Sequence, residues 1–277
     1  APHQGITRNS NCQKDSLKKS NPMAKKKYGE DDIEEEIAQW EEERKNIKTQ
    51  NMIDKGINIK CRGQKQKEVI QMIDDKDISI VIGPPGTGKT YLACAKALKF
   101  VKDNPGTYKK ITLIKSVNVP KDEEIGYLKG TMEEKMEMYM YPFISNFEKI
   151  IGKVACTSLR TNGIIDILPI KFALGVTLDD SIVIIDEAQQ ISKDNLRTLM
   201  TRIGQNTKII FLGDVKQKSV NKRHKSALEL LIEHFHGIEE MGCVELTEDD
   251  VVRHPIIKKI IKVFERIEKA EDLNGQG

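Results

Sequence analysis

Short apolar runs recur through the middle and C-terminal parts of this chain, and each has the length of a buried strand. They are ISIVI from Ile78, ITLI from Ile111, IIDIL from Ile164, IVIID from Ile182 and KIIFL from Lys208, with a weaker CVEL from Cys243. Between most of them, apolar positions recur every three or four residues. That spacing predicts helices over Tyr91 to Lys102, Asn195 to Ile203, Ser226 to Phe235 and Ile256 to Ile267. Ahead of the first run, GQKQKEVIQMI spaces Val69, Ile70 and Ile73 like one helix face. Strands alternating with helices predict an α/β domain with a mostly parallel sheet.

Between Ile114 and Ile164 the alternation breaks. Met132, Met136, Met140, Phe143 and Phe147 recur there at helical spacing, which favours a helix laying its apolar face on the core. The other reading is an insertion that touches substrate, with Lys115, Ser116, Lys121 and Lys129 as phosphate contacts. Upstream, Ile33 to Ile53 suits a charged helix whose apolar positions, Ile33, Ile37, Trp40 and Ile47, are too sparse for firm docking. Residues 1–22 are polar and patternless, and the first methionine is Met23. The expected organisation is a polar N-terminal region over residues 1–60, a folded domain over 61–270 whose core begins near Cys61, and a tail over 271–277.

Composition narrows the class. A chain of 277 residues, 38% hydrophobic and 31% charged, can bury a sizeable core beneath a charged surface. No apolar run reaches the roughly 18–20 residues of a membrane span, and the basic N-terminus lacks the apolar stretch of a secretory signal. The net charge of +3 does not by itself announce nucleic-acid binding. Charge is segregated, however: a basic stretch ends in Lys25-Lys26-Lys27, and Glu30 to Glu43 is acidic, which suits solvated, flexible segments. Cys12, Cys61, Cys94, Cys156 and Cys243 are scattered without zinc-ligand or redox spacing, which implies reduced thiols in the cytoplasm. His234 and His236 lie two apart, so they share no helix face for a metal.

Candidate chemistry begins where the first strand ends. Gly83-Pro84-Pro85-Gly86-Thr87-Gly88-Lys89-Thr90 fits G-x-x-x-x-G-K-[ST] at every fixed position, between a predicted strand and a predicted helix. Glycines let backbone N–H groups wrap phosphate oxygens, and the helix N-terminus adds partial positive charge. Lys89 is expected at the β- and γ-phosphates and the Thr90 hydroxyl on Mg2+. In SIVIIDEAQQIS, four apolar residues run into Asp186 and Glu187. An acid at a buried strand end suits Mg2+. A carboxylate directly after it suits a base toward attacking water, which favours hydrolysis over transfer to a small-molecule acceptor. In IIFLGDVKQ a strand ends in Gly213-Asp214, and Gln217 is a candidate γ-phosphate sensor; a plain polar turn fits equally well. In TEDDVVRHPIIKK, His254 precedes Pro255 and is biased toward extended backbone, and Pro255 suits a helix start. Arg253 is then held just ahead of that helix.

GPPGTGKT, DEAQ and GDVKQ in this order resemble the N-terminal motor domain of superfamily-1 helicases. With EIGYLKGTMEEKM, TLDDSIVIIDEAQ, LMTRIG and DVVRHP also in order, the chain from about Cys61 to Ile267 more closely resembles the PhoH-like family of phosphate-starvation-inducible ATPases. Its compact length and LIKSV are similar to the phage-encoded branch. The resemblance implies a P-loop NTPase fold with a RecA-like, mostly parallel sheet flanked by helices and carrying a helical insertion. It implies ATP and Mg2+ as ligands, with ATP held by Gly83, Pro84, Pro85, Gly86, Thr87, Gly88, Lys89, Thr90 and Tyr91. Gln66, with Gln64 as a near competitor, matches the family's adenine-side glutamine. Arg202 matches a family arginine, and Arg253 matches one placed like an arginine finger. Departures are Lys115, where the family often has arginine, and Leu174 and Val176, where arginines often flank Gly175.

The function this implies is an ATPase coupled to single-stranded nucleic acid, with RNA ahead of DNA. With aromatics at 5%, contacts would be mostly to the phosphate backbone and salt-dependent. The chain ends soon after Arg253, so as a finger Arg253 serves its own site or that of a neighbour, and the second option predicts a homo-oligomer such as a ring; an ordinary surface arginine paired with Asp249 or Asp250 is the other reading. Two other readings stand beside this one: an ATP-timed assembly protein without helicase activity, and a P-loop small-molecule kinase. No membrane partner is implied.

Overall fold

Each apolar run becomes a strand. The computed structural model describes residues 56–115, 132–215 and 226–252, with isolated positions within 38–53 and 256–267. The strands are β1 (Ile78–Ile82), β2 (Lys110–Lys115), β3 (Ile165–Ile167), β4 (Ser181–Asp186), β5 (Lys208–Gly213) and β6 (Met241–Glu245). They form one sheet in the order β3-β2-β4-β5-β1-β6, and every pair is parallel. Inner strands of such a sheet are covered on both faces, which is why β4 and β5 read as unbroken apolar runs. The edge strand β6 is only half-buried, hence its weaker pattern.

Helices cover both faces. They are α1 (Gln64–Asp75), α2 (Lys89–Asp103), α3 (Met132–Ile151), α4 (Lys153–Thr161), α5 (Ile170–Ala173), α6 (Lys193–Met200) and α7 (Ala227–His234). Alternation along β4 divides the core. Ile182 and Ile184 point to the side packed by α1, α2, α3 and α4, together with Val81, Ile210 and Leu212. Val183 and Ile185 point to the side packed by α6 and α7, together with Ile80, Ile209 and Phe211.

Local chemistry sets the helix ends. Ser226 and Glu229 form a capping box at the start of α7, each side chain bonded to the other's backbone N–H. Ser192 accepts from the Asn195 N–H at the start of α6. The pattern carries α6 to Ile203, but the helix stops at Met200. Leu178 draws the chain away by donating to the Arg202 carbonyl and accepting from the Gly204 N–H. Ile203 then pairs with Leu178 in a strand-like bridge.

The break in alternation is α3, whose apolar face lies on the core: Met140, Phe143 and Phe147 are fully buried. Pro142 sits inside this helix, where it removes one backbone donor, and Asn146 Nδ2 donates to the Pro142 carbonyl at 2.8 Å. Of the basic and polar residues named for this stretch, Lys115 ends β2, while Ser116, Lys121 and Lys129 lie outside the described residues.

Two units divide the chain, Ala1–Arg44 and Lys45–Gly277. In the first, the described residues Ala38, Gln39 and Glu41 are helical and exposed. In the second, the core extends upstream of Cys61 to Ile53, which is fully buried and accepts from Lys102 Nζ at 2.8 Å. One isoleucine in a polar segment carries no periodicity, so pattern alone starts the core too late. Among the described residues no helix is long and apolar enough to cross a membrane.

Candidate active site

The C-terminal ends of β1, β4 and β5 open into a cleft of about 450 Å3, on the side where open α/β sheets bind ligands. Because β5 lies between β1 and β4, Gly213 and Asp214 stand between the loop after β1 and the acids after β4. The loop side of the cleft is lined by Pro85, Gly86, Gly88, Lys89, Thr90 and Tyr91. Asp186 and Glu187 line it from β4, and Pro142, Asn146 and Lys149 close it from α3.

The loop is a wrapped turn that only glycine permits at its entry. Gly83 has φ 148°, and a Cβ there would lie 2.4 Å from the Leu246 carbonyl oxygen. Gly88, at φ 88°, caps the start of α2, so the positive end of a 15-residue helix faces the cleft. The buried Thr87 hydroxyl donates to the Pro84 carbonyl at 3.0 Å. Lys89 Nζ donates to the carbonyls of Gly83 at 2.6 Å and Pro84 at 3.0 Å, which folds the ammonium over the loop.

Gln66 braces the loop from behind. Its Nε2 donates to the Thr87 carbonyl at 2.9 Å, and its Oε1 accepts the Arg62 backbone N–H at 2.7 Å. These bonds use half the capacity of the amide. Gln66 is buried and does not line the cleft. A second brace comes from the chain after β6. The Val252 N–H donates to the Gly86 carbonyl at 3.0 Å, and Arg62 Nη1 donates to the Val252 carbonyl at 3.2 Å.

Opposite the loop, β4 delivers the acids. Burial pushes the Asp186 carboxyl above the ordinary range, and the neighbouring Glu187 pushes it further. Lys115, the Glu187 backbone amide and Lys89 pull it back down. Lys115 is the in-register partner of Asp186 on β2. Glu187 has left-handed backbone, φ 54° and ψ 42°, uncommon for a residue with a side chain. Its Oε2 accepts from Gln189 Nε2 at 2.7 Å.

The donor set fits Mg2+ and a nucleoside triphosphate. The Thr90 hydroxyl and Asp186 carboxylate are hard oxygen donors on one cleft, and Mg2+ takes one or two protein ligands beside substrate phosphates. No cluster of three or more His, Cys, Asp or Glu suited to a metal occurs among the described residues.

The family profile described as "PhoH-like protein" matches residues 58–265. The chain belongs to the PhoH-like family. Its PhoH-like relatives include one from Bacillus subtilis (strain 168), 37% identical over 247 residues, covering 88% of this chain and 72% of that protein. Another, from Mycobacterium tuberculosis (strain ATCC 25618 / H37Rv), is 32% identical over 78% of this chain, which spans 60% of that relative's length. "Protein PhoH" of Escherichia coli (strain K12) is 28% identical, and this chain spans 58% of its length. Two solved structures, the large terminase of a thermophilic bacteriophage and the UvsW helicase of bacteriophage T4, align at 12% and 10% identity. Their TM-scores are 0.45 and 0.42, over 72% and 80% of this chain and 49% and 68% of theirs. Neither likeness bears on function. As a PhoH-like protein with an intact loop, the chain carries a P-loop nucleotide-binding domain.

In this PhoH-like domain Lys89, Thr90, Tyr91, Asp186 and Glu187 share one cleft. Gln217 and Arg253 lie outside the described residues. Arg202 Nε donates to the Leu174 carbonyl at 3.1 Å, so it fastens the end of α5. Sequence reasoning named Asp214 only as a strand end and gave no role to Gln189, Val252 or the α3 residues Asn146 and Lys149. Gln189, Asp214 and Val252 lie inside DEAQ, GDVKQ and DVVRHP, where their neighbours drew the attention; Asn146 and Lys149 are polar positions of a helix read by its apolar face.

Proposed function

We propose that this chain is a Mg2+-dependent ATPase that couples hydrolysis to binding or remodelling of single-stranded RNA. The observation that carries the proposal is the convergence of Lys89, Thr90, Asp186 and Glu187 on one cleft at the strand ends. Lys89 exchanges the carbonyls of Gly83 and Pro84 for the β- and γ-phosphates of ATP. Thr90 and Asp186 would hold Mg2+, which would supply charge neutralisation at the phosphate oxygens. Glu187 accepts a proton from water as the water oxygen bonds to the γ-phosphorus. The bond to the bridging oxygen breaks, and ADP and phosphate leave. Gly83 through Tyr91 cradle the triphosphate, and Gln66 supports the loop from the adenine side. Gln217 reports the γ-phosphate.

Arg253 supplies charge to the transferring phosphoryl group. Val252, the residue before it, is bonded to Gly86, which supports action of Arg253 on its own loop; a homo-oligomeric ring would instead bring it from a neighbour. The RNA half of the reading rests on the helicase-like motif order. The cytoplasm suits cysteines that are unpaired among the described residues.

Phosphate release from ATP, measured with and without single-stranded RNA at several salt concentrations, tests this. RNA-stimulated, Mg2+-dependent turnover that fades with salt is expected. Turnover indifferent to RNA would shift the reading to an ATP-timed assembly.

A further inference from the structure

Gln189 is almost wholly buried, at 3% exposure, beneath the cleft. Its Nε2 donates to Glu187 Oε2 at 2.7 Å, and its Oε1 accepts the backbone N–H of Asp214 at 3.2 Å. One amide therefore ties the carboxylate after β4 to the backbone after β5. Space is kept for it: a Cβ on Gly213 would lie 2.7 Å from Gln189 Oε1 and 2.6 Å from Leu228 Cδ2. Both are side-chain ends, so a Cβ at Gly213 would have to displace them, although the Gly213 φ lies outside the left-handed region. The Glu187 backbone is itself fixed in the left-handed region, with its carbonyl accepting the Gln190 N–H at 2.9 Å. A glutamate side chain turns about three bonds, so backbone placement alone does not aim its carboxylate. The Gln189 donor supplies the aim.

We propose that Gln189 is a positioning residue that points the Glu187 carboxylate and locks it to the backbone of Asp214, so that a shift of the chain after β5 moves the base. Gln189 lies below the cleft lining rather than on it and acts through Glu187. The inference rests on the reading of Glu187 as the base.

Two variants separate the two bonds. Gln189→Glu keeps an acceptor for the Asp214 N–H and sets a second carboxylate against Glu187, where repulsion or a shared proton replaces the neutral donor and takes Glu187 out of service as a base. Gln189→Ala loses both. In nucleotide-free protein, hydrogen exchange at the Asp214 amide is expected to quicken at least tenfold in Gln189→Ala and to stay near wild type in Gln189→Glu, with Leu212 unchanged in both. With ATP, Gln189→Glu is expected to lower kcat about ten- to a hundredfold, with KM and the affinity for a fluorescent ATP analogue within about twofold. Purely structural damage would move KM and thermal stability as well. Wild-type exchange at Asp214 in Gln189→Ala would overturn the lock. Wild-type kcat in Gln189→Glu, with Glu187→Gln inactive, would overturn the aim. Turnover retained by Glu187→Gln would instead remove the base reading, and the exchange result would still decide whether Gln189 holds Asp214.

Discussion

Replacing Gly83 by alanine tests how the phosphate loop is built. The new Cβ would sit 2.4 Å from the Leu246 carbonyl oxygen, and the residue would have to hold φ 148°. A side-chain-bearing residue in such a region costs about 1–3 kcal/mol. The clash is with backbone, so it is relieved only by moving a strand end. The two bonds at risk are Leu246 N–H to the Ile82 carbonyl, at 2.8 Å, and Gly83 N–H to the Gly213 carbonyl, at 3.2 Å. Each contributes about 1 kcal/mol. Gly83→Ala should therefore cost about 3–5 kcal/mol, which lowers the melting temperature of a domain this size by about 10 °C. The control is Gly106→Ala, where a Cβ meets nothing within 4 Å and φ is unrestrictive; its effect should stay within about 1 kcal/mol. Differential scanning fluorimetry of both variants, with binding of a fluorescent ATP analogue, reads the result. Equal melting temperatures for the two variants would refute the packing of Leu246 against the loop.

Asp186→Asn should raise the melting temperature of the nucleotide-free protein and weaken Mg2+-dependent ATP binding. Its carboxyl is held above the ordinary range, first by burial and then by Glu187. The folded state thus holds that proton more tightly than the unfolded state, and stability falls as pH rises through the ordinary carboxyl range to the raised value. A lower melting temperature in Asp186→Asn would contradict this. Phe147→Ala removes a fully buried ring from α3 and should cost about 3–5 kcal/mol in chemical denaturation. Asp74→Ala takes the carboxylate from Lys96, which is 3% exposed and also lies 4.8 Å from the Phe100 ring centroid. The cost should be about 2 kcal/mol, below that of a wholly buried pair because the Asp74 side chain is 40% exposed.

Much of the fold was legible because parallel strands buried on both faces leave unbroken apolar runs. ISIVI is β1 from end to end. Strand order was not legible: parallel neighbours are joined by long crossovers, so nothing local says that β5 inserts between β1 and β4. The 20 residues of α3 were legible as an apolar helical face, but Pro142 inside the helix obscures its continuity. At the site, Lys89, Thr90, Asp186 and Glu187 stood out because each follows a strand in a fixed spacing. Gln189 did not, because its role depends on Asp214, which is remote in sequence and adjacent only after the sheet forms. Gln66 was legible only through family resemblance, and the structure adds its bond to the Thr87 carbonyl.

Cleavage of ATP by Glu187→Gln under single-turnover conditions tests the central claim most directly. Glu187 lines the cleft opposite the loop, so the variant should bind ATP with Mg2+ about as tightly as the wild type while cleavage falls at least a hundredfold. Cleavage at the wild-type rate would contradict the account, because water would then be activated by a group other than Glu187.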